Sequence, residues 1–185
     1  MKNVGKGSLK LDFSNRDFHA PSLAKKILEQ GKEKELVSIA LGSDQIVGNR
    51  AMWVLAHCAE IEPKRIRSFH ITLVNHLKNE GIHSGIIRSI LHIFQYQDIP
   101  KQVETFLLEK CFEYVQNSTQ AIAVRVFAMT VIFNISKPYP ELLNELYVLL
   151  SKIIETEESA GIKSRARAVL KEIAKMKMGE KANTN

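Results

Sequence analysis

Three residues of one predicted helix carry side chains that could bind a partner. Arg50, Trp53 and His57 stand at positions i, i+3 and i+7, so they lie along one face of the helix. Trp53 is the only tryptophan of the chain. An aromatic surface beside a cation suits an anion, a peptide or a nucleobase. The same predicted binding surface continues with Arg88, His92 and Arg125.

A structural role for Trp53 is the alternative. Large aromatic side chains contribute strongly to hydrophobic cores. Trp53 is surrounded in sequence by apolar residues, namely Ala51, Met52, Val54 and Leu55. The sequence leaves both roles open.

A second candidate surface is a ridge of cations near the end of the chain. Its members recur every four residues, about 6 Å apart along a helix, and are Lys163, Arg167, Lys171 and Lys175. The opposite side of this helix is apolar, with Ile162, Ala166, Val169, Ile173 and Met176. The ridge could follow a phosphate backbone or an acidic partner, and such binding would weaken steeply with salt. The alternative is the polar outer face of a terminal capping helix.

Catalytic, metal-binding and cofactor-binding patterns are missing from the sequence. The segment 5–8, Gly-Lys-Gly-Ser, lacks the spacing of a phosphate-binding loop, and there is no GxSxG or HExxH motif. No two histidines stand four residues apart; they are His19, His57, His70, His76, His83 and His92. We therefore predict a non-enzymatic protein with no catalytic residue, no metal site and no cofactor. An enzyme whose active site is assembled across repeats is the alternative, because no spacing in the sequence would reveal such a site.

Two residue types recur with one period and define the elements that hold these side chains. Pro63, Pro100 and Pro138 follow one another at intervals of 37 and 38 residues, each just before an amphipathic stretch. Arginines recur at intervals of 38, 37 and 40 residues, at Arg50, Arg88, Arg125 and Arg165. Two independent markers with one period predict a repeat whose unit is a pair of helices.

The period divides the chain into four helix pairs behind a single leading helix near 21–30. The predicted pairs are 32–62, 63–99, 100–137 and 138–177. We expect one repeat domain over 21–177, an N-terminal arm over 1–20 and a disordered tail over 178–185. Strand patterns are weak throughout, so the predicted fold class is all-α.

Helix pairs of this length, with a proline-led first helix and an arginine near the start of the second, resemble HEAT or armadillo-like repeats. The resemblance implies a right-handed α-α superhelix whose second helices line the concave side. It also implies that the repeated arginine ties adjacent repeats together by hydrogen bonds, as an alternative to ligand binding.

The last third of the chain resembles a more specific group. The segments 127–133, 140–142 and 159–171 are similar to the end of a group of short bacterial HEAT-like proteins without an established activity. Some of these proteins are labelled adenylosuccinate lyase, but this chain lacks the Ser-Ser-x-Met-Pro-x-Lys loop of that enzyme. The label therefore gives no reason to expect catalysis here.

Charge and composition refine the choice of partner. The 185 residues carry a formal charge of +6, but residues 44–157 sum to −1, so the excess lies at the two ends. A basic groove along the whole length is therefore not expected. Isolated Cys58 and Cys111, and the lack of a long apolar run, favour a cytoplasmic protein without membrane contact.

We predict a scaffold that binds a protein or peptide on the concave face. The alternative is a nucleic-acid-binding protein related to the HEAT-like DNA-alkylation-repair proteins.

Overall fold

Every regular element of the described residues is a helix, which confirms the predicted all-α class. The computed structural model describes residues 13 and 18–182. One 3-10 turn spans Arg67–Phe69. The α-helices are α1 (Ala20–Gln30), α2 (Glu33–Ala40), α3 (Gln45–Ile61), α4 (Pro63–Ile66), α5 (His70–His76), α6 (Ser84–Phe94), α7 (Lys101–Gln116), α8 (Ile122–Ser136), α9 (Pro140–Thr156) and α10 (Ala160–Ala182).

The helices form two layers. The second helices of the pairs stack on one another, α3 on α6, α6 on α8 and α8 on α10, and we call their free side the inner face. The first helices lie on the other side, where α2 packs on α3, α7 on α8 and α9 on α10. The leading helix α1 packs on α3. The four predicted helix pairs are therefore present, with α4 and α5 together forming the first helix of the second pair.

Prolines and one acidic cap fix where the helices begin. Pro21, Pro63 and Pro140 occupy the first turns of α1, α4 and α9, where a helix has no use for the missing N–H. Pro100 is the N-cap of α7. The side chain of Asp44 accepts hydrogen bonds from the N–H groups of residues 46 and 47, both at 3.0 Å, as a cap of α3.

The core runs without interruption through all the pairs. Its largest fully buried side chains include Met52 and Leu55 on α3, Phe94 on α6 and Met129 on α8. Burial of these apolar surfaces is the main force that holds the repeats together. Residues on the other side of the same helices are thereby held in fixed positions on the inner face.

Side-chain amides also join neighbouring repeats. The Gln97 amide donates to the carbonyl of Ala59 at 3.3 Å, and the Asn134 amide donates to the carbonyl of Gln95 at 2.8 Å. The donors lie 38 and 39 residues beyond their acceptors, close to the repeat period. These bonds satisfy carbonyl groups near the C-terminal ends of α3 and α6.

Some described residues lie outside the predicted repeat domain 21–177, at both of its ends. Phe13 and Phe18, inside the predicted arm 1–20, pack against one another with ring centroids 6.2 Å apart. The rest of 1–17 lies outside the described residues, including the segment 5–8 considered as a phosphate loop. At the other end α10 continues to Ala182, beyond the predicted boundary at 177.

No helix in the described ranges combines the length and the apolar character that crossing a membrane requires.

Candidate functional site

A cavity of about 330 Å³ opens on the inner face where α3, α6 and α8 meet. Each helix contributes polar or aromatic groups to its wall because the apolar sides of the helices are turned into the core. The lining residues are Trp53, Ala56, His57, Glu60, Arg88, Ser89, His92, Ala123 and Phe127. Four of the predicted binding residues are therefore brought together: Trp53, His57, Arg88 and His92.

Trp53 is at the surface and not in the core. Its side chain is 43% exposed, although its sequence neighbours Met52 and Val54 are fully buried. The ring of Phe18 lies 5.8 Å from the Trp53 ring, and the ring of His57 lies 5.9 Å away, both tilted. Trp53 is thus one member of an aromatic row that leads along α3 into the cavity.

Arg50 is already engaged by the start of the chain. Its guanidinium donates a hydrogen bond to the carbonyl oxygen of Phe13 and lies 5.5 Å from the centroid of the Phe18 ring. Phe13 is itself 3% exposed. Arg50 therefore anchors a neighbouring part of the same chain and does not line the cavity.

Glu60 binds two of the predicted histidines at once. One carboxylate oxygen accepts from Nδ1 of His57 at 2.8 Å, and the other accepts from Nε2 of His92 at 2.6 Å. Partial burial raises the pKa of Glu60, but the hydrogen bonds from His92 and His57 outweigh it and hold that pKa below the ordinary value. The carboxylate fixes the orientation of both rings across the boundary between the first and second repeats.

The repeated arginines do not share one environment. Arg125 is only 5% exposed, and its Nε donates to the carbonyl of Val115 at 3.1 Å. Its Nη1 also lies 2.7 Å from a carboxylate oxygen of Glu157. Arg165 donates to the hydroxyl of Thr130 at 3.0 Å. Arg125 and Arg165 therefore join elements of the fold, which is the tie between repeats that the resemblance implied.

Arg88 differs from the other repeated arginines because it lines the cavity. It is half-buried, and none of the described residues forms a hydrogen bond or an ion pair with it. A guanidinium can bind a carboxylate through two parallel hydrogen bonds.

The cavity adjoins two further depressions, which lie toward the C-terminal ends of α3, α6 and α8. The first, of about 310 Å³, shares Ala56, Glu60 and His92 with the cavity and adds Tyr96 and Gln97. The second, of about 460 Å³, shares Tyr96 and Gln97 and reaches the end of α8. Tyr96 is 76% exposed and lines both depressions, and its ring lies 5.8 Å from the ring of His92. We call this continuous depression the inner groove.

The cationic ridge has the predicted placement on α10. Its apolar side is in the core, with Ile162, Ala166 and Ile173 almost completely buried. Arg167 and Lys171 are exposed. Lys175 is paired with Glu172 at 2.7 Å, which reduces the positive charge at that end of the ridge.

Both cysteines are shielded from solvent, and no metal site is assembled in the described part of the chain. Both cysteines are free and buried, and burial raises the pKa of the Cys58 thiol to about 12. Burial also raises the pKa of Cys111. No group of three or more histidine, cysteine or carboxylate side chains among residues 13 and 18–182 is placed to hold a metal ion.

The sequence did not predict a role in binding for several residues at or beside the inner groove. Glu60 had a usable signal, since it stands three residues after His57 on the same helix. Phe127 and Tyr96 had none, because an apolar residue of a helical stretch is equally compatible with the core. Phe18 lies in a region without helical periodicity.

Stacked helix pairs with a continuous groove on one face define an α-helical repeat protein, or solenoid. A family model described as HEAT repeat domain matches residues 6–173. The chain therefore belongs to the HEAT repeat family. No curated protein and no solved structure matches it.

Proposed function

We propose that this protein is a non-enzymatic scaffold that binds a protein or peptide segment in the inner groove. The supporting observation is the convergence of Trp53, Arg88, His92 and Phe127, from three consecutive inner helices, on one cavity. Membership of the HEAT repeat family supports a scaffold role in general terms, since stacked repeats create extended binding surfaces.

The composition of the inner groove suits recognition of a polypeptide. Tryptophan, tyrosine and arginine are the residue types that contribute most to protein interfaces. All three are present, with Trp53 and Tyr96 exposed and Arg88 in the cavity wall. Volumes of about 310 to 460 Å³ for the successive depressions are large enough for individual side chains of a partner.

The inner groove is also prepared for binding before a partner arrives. Its side chains stand on helices, whose positions are fixed by the core, and the carboxylate of Glu60 fixes two of the rings. A surface that is already ordered loses little conformational entropy on binding.

Affinity capture from the native cell, repeated with matched variants, tests this proposal. We expect the intact protein to retain a partner that Trp53→Ala and Arg88→Ala both lose. Arg167→Ala serves as the control because it removes an equally charged side chain from the exposed ridge of α10. Retention by the groove variants, with loss by Arg167→Ala, would contradict the proposal and assign binding to the ridge.

Nucleic-acid binding is the competing function, and a titration at low salt distinguishes it. A carboxylate in the floor of the inner groove, that of Glu60, opposes a phosphate backbone there. We therefore expect no detectable affinity for duplex or single-stranded DNA at low salt. Affinity that falls steeply with salt and is weakened by Arg167→Ala would favour the alternative.

A further inference from the structure

We infer that the partner segment carries an aromatic residue beside an acidic one, with its ring against Trp53 and Phe127 and its carboxylate on Arg88. This inference rests on the proposed function and specifies the chemistry of the ligand. Its basis is the contact that α3, the first inner helix, makes with Phe13 and Phe18 of the same chain.

Phe13 and Phe18 show what the inner face accepts. On α3, Arg50 donates a hydrogen bond to the backbone carbonyl of Phe13. The ring of Phe18 lies against both Arg50 and Trp53. On this helix, an arginine thus binds an oxygen acceptor, and the exposed aromatic ring beside it contacts another ring. We call these two side chains together one recognition unit. In the sequence, an aspartate precedes each of these two phenylalanines, in Asp-Phe pairs at 12–13 and 17–18.

The neighbouring inner helix carries an arginine at the equivalent position, and no described residue binds this arginine. Arg88 follows Arg50 by 38 residues and, like it, stands near the start of an inner helix. One side of Trp53 faces Phe18, and the same ring lines the cavity with Arg88 and Phe127. The inner groove is therefore continuous with the surface that the aromatic residues of the arm occupy.

Charge in the cavity favours an acidic ligand. The charged residues of its wall, apart from histidine, are Arg88 and Glu60. Both oxygens of Glu60 are taken by His57 and His92, so the guanidinium of Arg88 is the group that lacks a counter-ion among described residues. A guanidinium matches a carboxylate with two parallel hydrogen bonds, and such charge-assisted bonds are among the strongest available.

A defined probe makes this testable. We choose a synthetic peptide with the sequence of residues 11–19, with neutral ends, because it contains both Asp-Phe pairs. Its binding to the full chain is followed by anisotropy of a label on the peptide and by the emission of Trp53, the only tryptophan. Two further peptides replace both phenylalanines by alanine or both aspartates by lysine.

We expect the original peptide to bind, and both altered peptides to bind at least about tenfold more weakly. Arg88→Ala should weaken binding of the original peptide by about tenfold or more, whereas the Arg167→Ala control should leave it unchanged. Equal binding of the lysine peptide, or full affinity in Arg88→Ala, would overturn the inference.

The two proposals can fail separately. If native capture depends on Arg88 but none of the peptides binds, the groove function stands and the inferred ligand chemistry is wrong. If neither capture nor peptide binding responds to Arg88→Ala, both proposals are wrong.

Discussion

Removal of Arg125 should destabilise the fold, whereas removal of Arg88 should not, although the two arginines mark the same position in successive repeats. Arg125 is 5% exposed and holds the carbonyl of Val115 close to the end of α7, where the helix supplies no partner. It also reaches across to Glu157, the C-cap residue of α9. Arg125→Ala therefore breaks contacts between three elements of the last two repeats.

The size of the effect follows from what alanine leaves behind. A hydrogen bond to a charged group contributes about 1.5–3 kcal/mol, and loss of one partner strands the other in a buried place. With the loss of the packed side-chain stem, we expect Arg125→Ala to lower the free energy of unfolding by about 2–4 kcal/mol. For a chain of this length that corresponds to a fall in Tm of about 5–15 °C.

Thermal unfolding followed by circular dichroism measures this difference. Arg88→Ala is the matched control, since its side chain lines an open cavity, and we expect its Tm to change by about 2 °C or less. A Tm of Arg125→Ala within that same margin would refute the structural assignment. A large fall in Arg88→Ala would show instead that Arg88 is also a tie between repeats.

Two further predictions concern titratable groups. Cys58 and Cys111 are buried, and burial raises the pKa of both thiols. Both should therefore resist a disulfide reagent at pH 8 in the folded protein and react after unfolding in urea. Rapid reaction without urea would contradict their burial. Hydrogen bonds from the histidines hold the pKa of Glu60 below its ordinary value of 4.5, despite an opposing effect of burial. The contribution of Glu60 to stability is therefore complete above pH 4.5 and is lost as the pH falls through the lower pKa of the folded state. The Tm of the unmodified protein should consequently fall more between pH 5 and pH 3 than the Tm of Glu60→Gln. Parallel falls would show that this carboxylate adds nothing to stability.

The fold was predictable because its signals are local and repeated. Prolines at helix starts act through the missing N–H of their own residue, and Asp44 caps its own helix, so the sequence is sufficient for both. The same local rules failed where another residue satisfied the geometry. At α6, Ser84 is of a residue type that commonly caps helices, but the ring of His83 accepts from the N–H of Gly85 at 3.1 Å. Ser118 and Thr119 are also of capping types, yet α8 starts after Ala121 without a side-chain cap.

Glycines near the helix ends also differ from one another in conformation. Gly81 has a φ of 67° and precedes α6, as expected of a residue in the left-handed region. Gly42 does not have a positive φ, and Gly31 has that role at the end of α1, with a φ of 64°. A glycine shows only that the conformation is allowed, and the adjoining helix decides whether it is used.

The site was predictable only in part because it depends on which residues of different repeats meet. The spacing of Trp53 and His57 put them on one face, and the structure places both in the cavity wall. Periodicity alone could not separate Arg88 from Arg125, since the two have the same sequence position in their repeats. What separates them is the neighbouring element: Glu157 and Val115 enclose Arg125. The role of Phe18 depends on a contact with α3 that no local pattern encodes.

The central claim is that a partner binds in the inner groove, and a photo-crosslinking amino acid tests it most directly. One variant carries the crosslinker in place of Tyr96, which is 76% exposed in the inner groove. The control carries it in place of Val148, which is 67% exposed on α9 in the outer layer. After irradiation in the native cell, we predict a crosslinked partner from position 96 and none from position 148. A partner crosslinked from position 148 and none from position 96 would contradict the assignment of the binding face.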